Sequence, residues 1–347
     1  MFFSRLIAIV LCTLFGGVVA QPGANAAAAP TAGSNAIVIM YHRFGEARYP
    51  STNVTLEQFE AHLEELKTGG YAVLSLPDII KTLKRGQALP ERAVGISIDD
   101  AYLSVYTEAW PRLKAAGFPF TVFVATDPVD QNTTNFMTWR QIREMADAGV
   151  TIGAHTGSHL HMPKASRQRN LSELARSQKR FQEKLGRTAE IFAYPYGETS
   201  LKIQTMAKDS GLIAAFGQHS GAFDGTGEMF DLPRFAMNEN YAGMARFRLA
   251  VNALALPVTD ITPADPLVTT ANPPAMGFTM TSDLKGIERL SCFTSHAGRA
   301  RVERLGQRRI EVRVDAPFPK GRTRMNCTLP GAHGRWHWLG RQFYRPE

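Results

Sequence analysis

Only three cysteines occur among the 347 residues. None lies near the paired histidines of the chain, which argues against a thiolate-held metal. Cys12 falls in an N-terminal apolar stretch, and the Ile9-Val-Leu11 before it lacks the small residues of a lipoprotein cleavage box. Cys292 and Cys327 remain, and two cysteines in an exported domain are expected to pair. Beyond residue 20 no apolar run is long enough to span a bilayer. There is no internal repeat and no recognisable nucleic-acid-binding motif, so nucleic acid is not an expected partner. Charged residues make up 20% of the chain against 44% hydrophobic. That balance excludes a disordered or fibrous chain and leaves a soluble globular protein with room for one large and one smaller domain.

What the N-terminus does have is an export signature. Met1-Phe-Phe-Ser-Arg5 carries a positive charge, Leu6 to Val19 is apolar, and Val18-Val-Ala20 offers a small-residue cleavage site. Residues 1–20 are expected to be a signal peptide and 21–34 a flexible leader. The mature protein is then periplasmic or secreted, with no transmembrane span after cleavage. The net charge of +8 is concentrated at the other end. From Lys285 onward there are fourteen Lys or Arg against five Asp or Glu, and twelve of the fourteen are Arg. Arginine's planar fork suits carboxylate and phosphate, so an anionic glycan or cell-envelope surface is one expected partner. A solvated basic face is the other reading.

Between these ends the chain alternates strand and helix signals. Apolar, β-branched runs stand at Ile37–Tyr41, Ala72–Leu76, Val94–Ile98, Phe120–Val124, Val150–Ile152, Ile191–Tyr194 and Ala214–Phe216. Thr55-Leu-Glu-Gln58 and Thr138-Trp-Arg-Gln141 each read as a capping box opening a helix. Gly69, Gly117, Gly149, Gly186 and Gly211 read as C-terminal caps. About seven βα units predict an α/β fold, an incomplete (β/α)7-type barrel, over residues 35–256. Prolines at 257, 263, 266, 273 and 274 mark a connector over 257–274. Alternating stretches such as Arg309–Val314 predict a small all-β module over 275–347.

Chemistry-bearing residues recur just after the strand runs: Tyr41-His42, Asp99-Asp100, His155-Thr-Gly-Ser-His159 and Tyr194-Pro-Tyr-Gly197. In a βα barrel the C-terminal strand ends converge on one face, so these segments can meet. Two neutral imidazoles and a carboxylate make a three-ligand site for a Zn²⁺-type cation, with positions left open for water and substrate. The spacing of His155 and His159 suits one helix face, or a loop turned at Gly157. A second carboxylate beside such a site is an acid/base group, and the set is the equipment of a hydrolase.

Ser97-Ile-Asp-Asp100 and His155-Thr-Gly-Ser-His159 together resemble the first and second motifs of the polysaccharide deacetylase (NodB-homology) family, from about residue 36 to 256. The resemblance implies Asp99 as general base and Asp100, His155 and His159 as ligands of Zn²⁺ or another divalent transition metal. It also implies an acetylated glycan as substrate. Two departures are instructive. The third family motif carries an Arg where Ala193-Tyr-Pro-Tyr196 has none, which is similar to the biofilm poly-N-acetylglucosamine deacetylase branch. Arg234, in Leu232-Pro-Arg-Phe235, is expected to supply the missing guanidinium to Asp99. The late Leu-x-His motif is also absent, and His42 looks like the early general acid of the circularly permuted branch. The backbone N–H of Tyr196 is the expected oxyanion donor. His161 is read as a packing residue or a loop residue near the substrate, Trp139 as either a wall of the acetyl pocket or core packing, and Trp336 and Trp338 as core residues rather than sugar-stacking ones. The implied activity is removal of N-acetyl groups from an N-acetylhexosamine polysaccharide. An O-acetyl esterase and a catalytically lapsed glycan-binding protein are the alternatives.

Overall fold

A computed structural model of the protein describes Met1–Phe2 and residues 35–346. The signal-peptide and leader expectations for 3–34 lie outside the described residues. No described helix is long and apolar enough to cross a membrane.

Nine strands form the first sheet. Its main path runs through Ala36–Tyr41, Ala93–Asp99, Thr121–Val124, Thr151–Ala154, Ile191–Ala193 and Ala214–Phe216, each parallel to the next. Such strands are buried on both faces, and Ala36–Tyr41 and Ala93–Asp99 are buried at every position. The segment after the last strand returns to the first. Leu232 pairs in parallel with Phe216, and Phe235 and Ala236 pair in parallel with Ile39 and Met40. This short segment bridges the two edges, so the curled sheet is the incomplete α/β barrel the spacing predicts.

Alternating side chains divide the interior between two apolar layers. Ile37, Ile39 and Tyr41 join Phe59, Leu63 and Leu66 of the outer helix Leu56–Thr68. Ala36, Val38 and Ala93 join Leu76, Ile79, Ile80 and Leu83 of the helix Leu76–Lys84. A Cβ on Gly95 would sit 2.3 Å from Leu76 Cδ2, so that glycine admits the second helix against the strand. With the early parts of the strands covered in this way, the chemistry is left to their C-terminal ends.

Local signals were mostly realised. Both capping boxes are present, at Thr55 with Gln58 and at Thr138 with Gln141. Gly117 and Gly186 close their helices in the left-handed conformation. At the first helix, however, Gly69 has φ −83° and Gly70 takes the positive φ. The expected strand Ala72–Leu76 stops at Leu74, because Ser75 accepts the Asp78 N–H and caps the next helix.

The second sheet has eight strands. Their order is Leu254–Ala255, Trp336–Arg345, Gly321–Pro330, Ser291–Thr294, Gly298–Leu305, Arg309–Arg313, Met276–Met280 and Val258–Thr262. The stretch read as a proline-rich connector thus carries a strand. Its prolines, 257 and 263, stand just outside that strand, where no ladder N–H is required. Cys292 and Cys327 face each other on adjacent strands and form the expected disulfide.

The two sheets meet along the last strand. A Cβ on Gly340 would lie 1.8 Å from the Ser220 carbonyl oxygen, an approach only glycine permits. Trp338 packs edge-on against Phe235 of the bridging segment, and Arg341 pairs with Asp231 at 3.1 Å.

Candidate active site

Asp99 is the last residue of its strand, and Asp100 begins the turn after it. Asp100 and Ala101 both take left-handed backbone, φ 76° and 59°. Thr156, His159 and Tyr196 do the same, at 63°, 57° and 60°. Such conformations are costly for residues with a side chain and persist only where the surroundings hold them. Here they gather in the loops after three strands, where they redirect the side chains toward one another.

The His155–His159 segment is a loop, with the left-handed residues at Thr156 and His159 rather than at Gly157. Gly157 has a different use, since a Cβ there would meet the Arg176 guanidinium at 2.4 Å. Asp100 Oδ1 lies 3.5 Å from His155 Nε2 and 3.2 Å from His159 Nε2. One ligand atom from each of the three lies within 4.8 Å of the others. His155 Nδ1 is 2.7 Å from the Ala193 carbonyl. A carbonyl only accepts, so Nδ1 carries the proton and Nε2 presents its lone pair to the cluster. That buried Nε2 has no hydrogen-bond partner. A buried acceptor left open beside a carboxylate and a second imidazole fits a divalent cation. Burial works against ionising Asp100, yet the imidazoles of His155 and His159 beside it hold its carboxyl well below the usual range.

Asp99 is turned to a different partner. Arg234 Nη1 donates to its Oδ1 at 2.6 Å and Nη2 to its Oδ2 at 2.8 Å. Both side chains are fully buried. The guanidinium is itself fixed, donating from Nε to the Gly217 carbonyl and from Nη1 to Ser97 Oγ. Burial would raise the Asp99 carboxyl, but the Arg234 charge outweighs it and holds the group ionised. Arg234 reaches Asp99 because it lies in the segment that bridges the edges of the barrel, one strand away from Ala93–Asp99.

His42, just past the first strand, places Nε2 4.0 Å from Asp99 Oδ2. Burial lowers its pKa, opposed by the negative charges of Asp100 and Asp99. The Tyr196 ring meets His159 edge-on at 4.4 Å and stacks flat on His161 at 3.8 Å. His161 lies outside the ligand cluster and bonds through Nδ1 to Glu198 at 2.8 Å. Trp139 packs on Phe181, with its indole N–H held by Asp130. Trp336 is exposed at the start of the module's last strand, whereas Trp338 is packed.

Several residues at the site carried no signal in the sequence reading. Arg43 stacks over Tyr102 at 3.4 Å, and burial raises the Tyr102 pKa to about 12. Glu198, Arg322 and Gln342 flank the Tyr196 turn, the last two from the C-terminal sheet. Only the docking of the two sheets reveals them.

Fold and site together place a cluster that could hold a cation at the barrel's strand ends, beside an arginine-held carboxylate and a histidine. The polysaccharide deacetylase family model matches residues 86–215. A Bacillus subtilis protein, YxkH, described as a candidate polysaccharide deacetylase, is 28% identical over 60% of this chain and 73% of its own length. The poly-beta-1,6-N-acetyl-D-glucosamine N-deacetylase of Staphylococcus aureus is 24% identical over 60% of this chain and 80% of its own. Among solved structures, the Streptococcus pyogenes deacetylase PplD aligns with a TM-score of 0.58 at 21% identity, over 62% of this chain and 98% of its own, a likeness of fold. IcaB from Ammonifex degensii aligns with a TM-score of 0.55 at 25% identity, over 62% of this chain and 96% of its own. Through its barrel the chain thus resembles the polysaccharide deacetylase family.

Proposed function

We propose that the protein is an exported, metal-dependent hydrolase that removes N-acetyl groups from an N-acetylhexosamine-containing polysaccharide and releases acetate. The observation that carries this reading is the division of labour between adjacent carboxylates, with Asp100 in the His155–His159 cluster and Asp99 in the fork of Arg234. In this reading residues 35–256 form the catalytic unit.

Asp100, His155 and His159 would hold Zn²⁺ or a similar divalent ion, which when bound supplies Lewis-acid polarisation and a more acidic water. Asp99, kept ionised by Arg234, accepts the proton of the attacking water as the C–O bond forms. The Tyr196 N–H donates to the carbonyl oxygen as it gains charge. His42 then gives its proton to the departing sugar nitrogen as the C–N bond breaks, leaving acetate and an amine. The negative charges of Asp99 and Asp100 oppose the burial that lowers the His42 pKa. The arginine-rich C-terminal face is read as meeting an anionic glycan or cell-envelope surface.

The test is acetate release by the full chain, supplied with zinc, across chitin oligomers, poly-N-acetylglucosamine, peptidoglycan and O-acetylated glycans. Release from an N-acetylated polymer, abolished by a chelator, is the expected result. Release from O-acetylated glycans alone, or from none, refutes the proposal.

A further inference from the structure

The C-terminal sheet reaches the candidate site at one point, the turn Pro195–Gly197. Gln342, on the strand Trp336–Arg345, is almost fully buried and donates from Nε2 to the Tyr196 carbonyl at 2.9 Å. Its Oε1 accepts from Arg324 Nε at 3.1 Å. Arginine only donates and a carbonyl only accepts, so the amide can face just one way. Arg324 stands opposite Gln342 on the neighbouring strand, and its Nε also faces the Gln218 carbonyl at 3.2 Å. Arg322 adds a bond to the same Tyr196 carbonyl at 3.4 Å and lies 3.7 Å from Glu198 Oε1.

These contacts fall on a residue that needs them. Tyr196 is held at φ 60°, ψ 4°, a left-handed conformation that a tyrosine leaves unless its surroundings fix it. Gly197 follows at φ 67°, and a Cβ there would lie 2.4 Å from the Gln218 nitrogen. The turn is therefore pressed against the 217–221 segment, on which the second sheet also rests.

We propose that Gln342 is a positioning residue for the deacetylation: by gripping the Tyr196 carbonyl it sets the turn that aims the Tyr196 N–H and ring at the reacting acetyl group. The C-terminal sheet is then a working part of the active site as well as a surface. This inference rests on the deacetylase reading above and deepens it.

The test compares the full-length wild type with Gln342→Glu and Gln342→Met. The first keeps the acceptor for Arg324 but turns a carboxylate oxygen toward the Tyr196 carbonyl. The second keeps the size and removes both bonds without adding charge. In either folded variant kcat is expected to fall by about tenfold or more, since misaimed oxyanion donors cost on this scale. KM should stay within about threefold and zinc content and Tm should match the wild type, while amide exchange in a peptide spanning 194–199 quickens. A purely structural role would instead lower Tm and metal content along with activity. Variants with kcat within twofold of wild type and unchanged exchange overturn the proposal. If the wild type releases no acetate from any substrate, the function fails instead, and the exchange comparison alone decides whether Gln342 holds the turn.

Discussion

Replacing Arg234 with Met tests the centre of the site. The substitution keeps much of the volume but removes the two bonds to Asp99, the bond to Ser97 and the bond to the Gly217 carbonyl. Both partners of the ion pair are fully buried, so solvent cannot take over the lost charge. Breaking a buried pair from one side costs about 3–5 kcal/mol, and a loss of this size is expected near pH 7. The pH dependence adds a sign. In the wild type, Asp99 has a folded pKa below its unfolded one, so it contributes stability above the unfolded value that is lost as pH falls through the folded value. Without Arg234, burial is opposed only by the charges of His155 and His42, and the Asp99 pKa is expected to rise. The variant should therefore be most destabilised at neutral pH and closest to wild type in acid. Protonated Asp99 cannot act as base, so the acid limb of the rate profile should also move to higher pH. Arg234→Lys, with charge but no fork, should fall between the two. Urea denaturation from pH 3 to 8 and acetate release over the same range make the comparison. Equal midpoints and an unmoved acid limb in Arg234→Met would refute the assignment.

Asp99→Asn should abolish turnover with zinc content near wild type, while His155→Ala should lose both; metal analysis of the purified proteins separates the two roles. His62 is buried between the Tyr41 hydroxyl, at 2.9 Å, and the Ala242 carbonyl, at 2.8 Å, and its pKa is lowered to about 4, chiefly by burial. Between its ordinary 6.5 and about 4 the unfolded chain binds a proton that the folded chain does not, so stability is lost as pH falls through that window. The loss is on the order of 3 kcal/mol. His62→Gln should flatten this part of the curve, and an unchanged slope in urea titrations would count against the buried neutral ring. Gly340→Ala must displace the Ser220 carbonyl. It should lower Tm by several degrees and weaken kcat, because the same strand carries Gln342; an unaltered protein would show that the contact between the sheets yields freely.

The barrel was legible in the chain because its signals are local. Strands buried on both faces leave short apolar runs, and Thr55 and Thr138 cap helices through neighbours three residues away. The Asp99-Asp100 and His155–His159 pairs were legible because two carboxylates ending an apolar run, and imidazoles spaced by four, are costly without a purpose. Where local signals competed, the stronger bond won: Ser75 ended a strand early by capping a helix. The strand Val258–Thr262 carries no local signal, since prolines flank it and only its pairing with Met276–Met280 reveals it.

The sequence by itself determined the kind of residues at the site and the elements that carry them, since capping, patterning and short motifs act over a few positions. Tertiary structure decided their partners. Arg234 is 135 residues from Asp99, and Gln342 is 146 from Tyr196. Each pairing depends on barrel closure or sheet docking, which no local pattern encodes; the first was expected only through the family resemblance. Burial then gives these contacts their strength, since a guanidinium or an amide shut away from water must bond to what the fold places beside it.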